Sequence, residues 1–188
     1  MNIFLRMKAW QIFGLMVIIP FGFQIFIMIT AFNTTELNFN AIFTILPAFM
    51  LIFMTLFLAW LWALGTRLNN YISDKIKPSP TIFKFGIIYS FIYMALFLIF
   101  FVSLSTNGIG NNHNPASFMA IILPLHLLAM SFMFYGIYFI SKNLLMAEQQ
   151  TLIKPAEIIG PFVFLWFFPI GVWFLQPRIN TLYIKNKG

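Results

Sequence analysis

The chain has 188 residues, of which 11 are basic and four acidic, so 8% carry a charge. A soluble domain usually runs near ~25%. Hydrophobic residues make up 61%, aromatics 20%, and Phe alone accounts for 26 positions. A soluble globule of this size would expose apolar patches well beyond what monomers tolerate. This excludes a cytosolic enzyme, a nucleic-acid-binding domain and a disordered tail, and it predicts an all-α integral membrane protein.

The absence of Cys removes disulfides, thiolate metal sites and Cys nucleophiles. The net charge of +7 could suggest nucleic acid, but that partner needs a basic face on a folded domain. Here the basic residues are scattered through short segments between apolar runs. Their expected partner is the lipid bilayer, including anionic lipid, and no nucleic acid.

Taken in chain order, Arg6 and Lys8 come first and flank an uncharged run over 9–32. A secretory signal has an apolar core of about 7–15 residues and a small-residue cleavage site. This run is longer and has no such site, so it is read as a retained transmembrane helix. Asn33-Thr34-Thr35 matches a glycosylation pattern that matters only in a secretory eukaryotic setting. Further apolar runs cover 41–64, 85–104, 117–140 and 158–176. About 20 residues at 1.5 Å each cross a bilayer, a length the first four runs reach.

The fifth run is marginal and carries Pro161, Pro169 and Gly171. The expectation is therefore one membrane domain over 1–188. It is a bundle of four transmembrane helices with a fifth, bent segment that is re-entrant or spanning. The longest connection, 65–84, leaves no room for a soluble domain.

Orientation follows from Lys and Arg. They lie in the N-terminal tail (Arg6, Lys8), the second connection (Arg67, Lys75, Lys77, Lys84), the fourth (Lys142, Lys154) and the C-terminal tail (Arg178, Lys185, Lys187). The first and third connections have none. A cytoplasmic N-terminus satisfies the positive-inside rule for four helices. A spanning fifth segment would export three basic residues, whereas a returning one keeps the C-terminus cytoplasmic.

All four acidic residues, Glu36, Asp74, Glu148 and Glu157, fall outside the apolar runs. Ion-coupled transport and intramembrane aspartyl chemistry usually place a carboxylate at membrane depth, so neither is supported. His113 lies alone in a turn-rich loop, and zinc takes three or four protein ligands. No metal site or cofactor is expected. No phosphate loop, nucleophile elbow or zinc-protease motif occurs, so no catalytic residue is named.

His126 sits near the middle of the fourth run beside Pro124. Counted from the outer helix ends, Gln24, Tyr93 and His126 fall within about 5 Å in depth. They could form one polar layer, either as a small pocket or as interhelical hydrogen bonds that fix packing. Thr55, Ala59 and Ala63, at i, i+4 and i+8, form a small-residue stripe that suits helix packing.

The stretch from Phe164 through Trp166-Phe167-Phe168-Pro169-Ile170-Gly171-Val172-Trp173 to Gln176-Pro177-Arg178-Ile179-Asn180 resembles a recurrent ending in small uncharacterised multi-pass inner-membrane proteins of Bacteroidetes. Met7-Lys8-Ala9-Trp10-Gln11, Pro124-Leu125-His126-Leu127 and the segment 135–142 fit the same pattern. The resemblance implies a bacterial inner-membrane location and transfers no catalytic residue.

Within that ending, Gln176, Arg178 and Asn180 form a polar cluster of candidate lipid-headgroup or interface contacts, in which Arg178 could bind a lipid phosphate or cap neighbouring carbonyls. The plainer reading is a basic anchor with a helix stop at Pro177. The expected function is a non-enzymatic accessory or scaffold subunit with a protein partner or a second copy in the membrane. The alternative is a small permease or channel for a neutral or lipid-like molecule, built on Gln24, Tyr93 and His126.

Overall fold

The computed structural model describes residues 3–33, 39–107, 115–186. Glu36, His113 and Lys187 lie outside these ranges. Most of the described residues are helical, with no strand among them. Four of the helices are long and apolar enough to cross a membrane. In chain order the helices are α1 (Ile3–Arg6), α2 (Ala9–Phe13), a π-helical turn (Gly14–Ile18), α3 (Ile19–Asn33), α4 (Phe39–Asn70), α5 (Thr81–Asn107), α6 (Pro115–Gln149), α7 (Pro155–Trp166) and α8 (Phe168–Lys185).

The first apolar run is one rod with a defect. Pro20 has no N–H to give the Met16 carbonyl, and the backbone upstream widens until Ile19 N–H reaches the Gly14 carbonyl. Helices α4 and α6 run past the last apolar residue of their runs, to Asn70 and Gln149. The reason is that charge ends an apolar run but not a helix. Arg, Lys, Gln, Glu, Leu and Met all favour helix. The connection read as 65–84 therefore shrinks to ten residues, 71–80.

Helices α4, α5 and α6 pack on one another around Phe83. Its ring stacks on Phe139 at 4.8 Å, and its tip occupies the space that a Cβ on Gly65 would need. The small-residue stripe contributes at one end only. Ala63 is fully buried and Ala59 half-buried, but Thr55 is exposed and its hydroxyl donates to the Leu51 carbonyl of its own helix. The close approach is thus at Gly65, outside the stripe.

The fifth apolar segment bends and returns. Lys154 caps α7, Pro155 opens it and Glu157 sits in its first turn, where a carboxylate suits the positive helix end. The helix breaks at Phe167 (φ −88°, ψ 57°), and Pro169 lies in the first turn of α8, where its missing N–H costs nothing. Phe164 and Phe174, on opposite arms, stack at 4.8 Å. Gly171 is obligatory here, because a Cβ would lie 1.6 Å from the Phe164 carbonyl oxygen. Pro177 does not stop the chain; α8 continues through it to Lys185.

As a result, α8 comes back to α1, α2 and the end of α6, and both chain ends lie at one end of the bundle. Every described Lys and Arg belongs to a segment at this end, which we call the basic end. The core gathers there too, through Leu5, Trp60, Leu64, Leu144, Leu175 and Ile179, all essentially inaccessible. Towards the far end, α3, α5 and α6 expose large apolar residues such as Phe26, Ile99 and Ile121.

One residue at the basic end is strained. Gln150, just past α6, has φ 54°, the left-handed region that normally takes Gly. Its side chain holds it there. Nε2 donates to the Tyr71 and Ala147 carbonyls at 2.8 and 2.9 Å, and Oε1 accepts from Ser73 N–H at 3.0 Å. Two outcomes are expected by differential scanning fluorimetry in detergent. Gly171→Ala lowers stability by at least about 2 kcal/mol, since backbone must move. Gln150→Ala lowers the melting temperature more than Gln150→Gly, because Gly recovers about 1 kcal/mol of left-handed strain.

Candidate functional site

Two polar constellations stand out, one at the basic end and one at mid-depth. The first joins both chain ends. Helix α1 has four residues, and Lys8 is extended (ψ 157°), so the carbonyls from Phe4 to Met7 lack the donors a longer helix would supply. Gln176 and Asn180, four apart on α8, present their amides on one face to these carbonyls. Gln176 Nε2 donates to Phe4 O at 2.8 Å and Met7 O at 2.9 Å. Asn180 Nδ2 donates to Leu5 O at 2.6 Å and Met7 O at 3.1 Å. On the other side of the junction, Lys8 N–H donates to Gln11 Oε1 at 2.8 Å.

Arg178 points elsewhere and forms a two-pronged pair with Glu148 at the end of α6, Nε–Oε1 2.8 Å and Nη2–Oε2 2.5 Å. The carbonyls are capped by Gln176 and Asn180, and not by Arg178, the residue expected to do so. The structure gives the Arg178 guanidinium to Glu148, so it is not a free headgroup contact. Gln176 is fully buried and equally withheld from lipid. The partner of Arg178, Glu148, stands in the sequence only as one of four acidic residues outside the apolar runs. The signal was its place in a Leu-Leu-Met-Ala-Glu-Gln stretch that favours helix.

The second constellation lies between α5 and α6. The Tyr93 hydroxyl and His126 Nδ1 are 3.1 Å apart. Pro124 interrupts the α6 ladder nearby, and the Tyr89 hydroxyl donates to the Leu125 carbonyl at 3.2 Å. Gln24 does not join them. It is exposed on α3, away from the contact between Tyr93 and His126. Equal depth permits contact, but depth says nothing about direction around the bundle. The layer is a pair from two helices, not a triad from three.

Beside this pair lies a groove of about 280 Å³. Its walls come from α4, α5, α6 and the tip of α7, where Trp166 stacks on Phe134 at 4.2 Å. Among the described residues no group of three His, Asp or Glu side chains gathers to hold a metal ion. Comparison with known protein families, curated proteins and solved structures gives no match for this chain.

The junction of the chain ends should behave as one unit. Gln176→Leu leaves the buried Phe4 carbonyl without its donor and is expected to cost about 1–3 kcal/mol. The pair of Arg178 and Glu148 is partly exposed, so a double-mutant cycle with Arg178→Leu and Glu148→Leu should give a coupling of about 1 kcal/mol. Unfolding in detergent, followed by Trp fluorescence, measures both.

Proposed function

We propose that this chain is a non-enzymatic multi-pass membrane protein that works through helix contacts, as an accessory or scaffold subunit. The observation that carries this reading is the stance of α3. Below it, α2 is held against α8, and the Phe13 and Trp173 rings sit 5.6 Å apart. Above the π turn, α3 leaves the bundle, touching α4 through the Phe23–Phe49 stack at 4.1 Å. Ile19, Phe21, Ile25, Phe26, Met28 and Ile29 are all exposed along it. Only 11% of the first span is buried, against 33% of the second. A helix anchored at its base and open along its length suits contact with a helix of another subunit.

The location we infer is a bacterial inner membrane, with both chain ends cytoplasmic. Its support is the gathering of every described Lys and Arg at one end, together with the resemblance of the C-terminal ending. The permease alternative loses Gln24 from its polar layer, and what remains favours binding over passage.

A photo-crosslinking amino acid at Phe26 should give an adduct of one discrete protein mass in cells. The same probe at Ile92 or Leu96, on the exposed side of α5, should give none. Lipid adducts alone at every position would overturn the accessory role. For orientation, a C-terminal alkaline phosphatase fusion should be silent and a C-terminal green fluorescent protein fusion bright; the reverse pattern refutes it.

A further inference from the structure

The groove beside Tyr93 and His126 has the makings of a ligand site, independent of the accessory role. Its volume of about 280 Å³ lies just below the usual range for ligand pockets, roughly 300–1,000 Å³. That suits a single chain or ring and not a whole two-chain lipid. Met54, Met94, Met130 and Met133 line it, and methionine adapts its shape to an apolar occupant. The polar groups are few and uncharged: Ser90, Tyr93 and His126. No Lys, Arg, Asp or Glu lines the walls, so a charged head would enter without a counter-ion, at a high desolvation cost.

Two polar atoms of this set have no hydrogen bond among the described residues. Ser90 is 5% exposed, and its Oγ is buried without a hydrogen bond. His126 uses Nδ1 towards Tyr93, and Nε2 has no partner among the described residues. When the Tyr93 hydroxyl donates to Nδ1, the neutral ring carries its proton on Nε2 and offers it as a donor. His126 is exposed and lies about 16 Å along α6 from its start, a depth that falls in hydrocarbon in the membrane location proposed above. There an unpaired donor is costly. An uncharged oxygen on a bound molecule would satisfy such donors. His126 and Met130 are exposed, which leaves the groove open sideways to the bilayer.

We propose that this groove binds a neutral, membrane-dissolved molecule that places a hydroxyl or carbonyl oxygen against Ser90 and His126 and an apolar chain or ring among the four methionines. The test uses the full chain in nanodiscs and four probes with one shared, diazirine-bearing ten-carbon tail. Their heads are an alcohol, a methyl ketone, a carboxylate and a trimethylammonium. The alcohol or the ketone should label the peptides carrying Met54 and Met133 about five-fold more than either charged probe, as one hydrogen bond near 1 kcal/mol implies. Which of the two leads identifies the head.

Ser90→Ala and Tyr93→Phe should each lower groove labelling about three-fold or more, while labelling of α3 stays constant as an internal reference. Ala129→Phe, which fills the groove, should abolish it. Equal labelling by all four probes, a preference for a charged head, or unchanged labelling in Ser90→Ala and Ala129→Phe would each overturn the proposal. If Tyr93→Phe fails to fold, those two variants decide it.

Discussion

The fold depends on the return of α8 to the first turns of the chain. Two side-chain amides, Gln176 and Asn180, donate to the carbonyls of Phe4, Leu5 and Met7. A four-residue helix followed by an extended residue would otherwise bury acceptors with nothing to accept from, and in a nonpolar medium that is costly. The interaction joins residues more than 160 positions apart. It works because Gly171 lets the α7–α8 turn close and because Pro177 stays inside the helix instead of ending it. Arg178 and Glu148 then tie the same helix to α6.

Everything at the basic end follows from that closure. The core of Leu5, Trp60, Leu64, Leu144 and Leu175 can form only when α1, α4, α6 and α8 meet. The bond set of Gln150 holds the 71–73 turn against the end of α6. Towards the far end, α3, α5 and α6 turn apolar surface outwards. The groove lies at the boundary between the two halves. The hairpin tip supplies one wall through Trp166, so the same turn that closes the basic end also shapes the cavity. A change at Gly171 should therefore be felt at the groove.

Much of this was legible in the residues. The four long spans, the bend in the fifth segment and the helical class follow from charge scarcity, run length and the Pro-Gly content. Depth alone put Tyr93 and His126 at one level, and the two meet because both side chains face the same interface. Gln24, at similar depth, fails for the complementary reason: α3 diverges, and one-dimensional position carries no azimuth. The stripe of Thr55, Ala59 and Ala63 was half informative, since spacing marks a face but not how far along it the neighbour reaches.

The sequence by itself determined that the chain carries long uncharged stretches, because all 15 charges fall outside five apolar runs, and four of its helices are long and apolar enough to cross a membrane. It also determined that no carboxylate sits within an apolar run, and that the basic residues would share a side if the last segment turned back. Only the tertiary structure decided that it does turn back. That choice rests on the close approach of the Gly171 and Phe164 backbones and on amides finding carbonyls at the opposite end of the chain. Such long-range matches carry no periodicity. A run of QPRIN reads as a polar edge until the partner it caps is in place, and then it becomes the clasp of the fold.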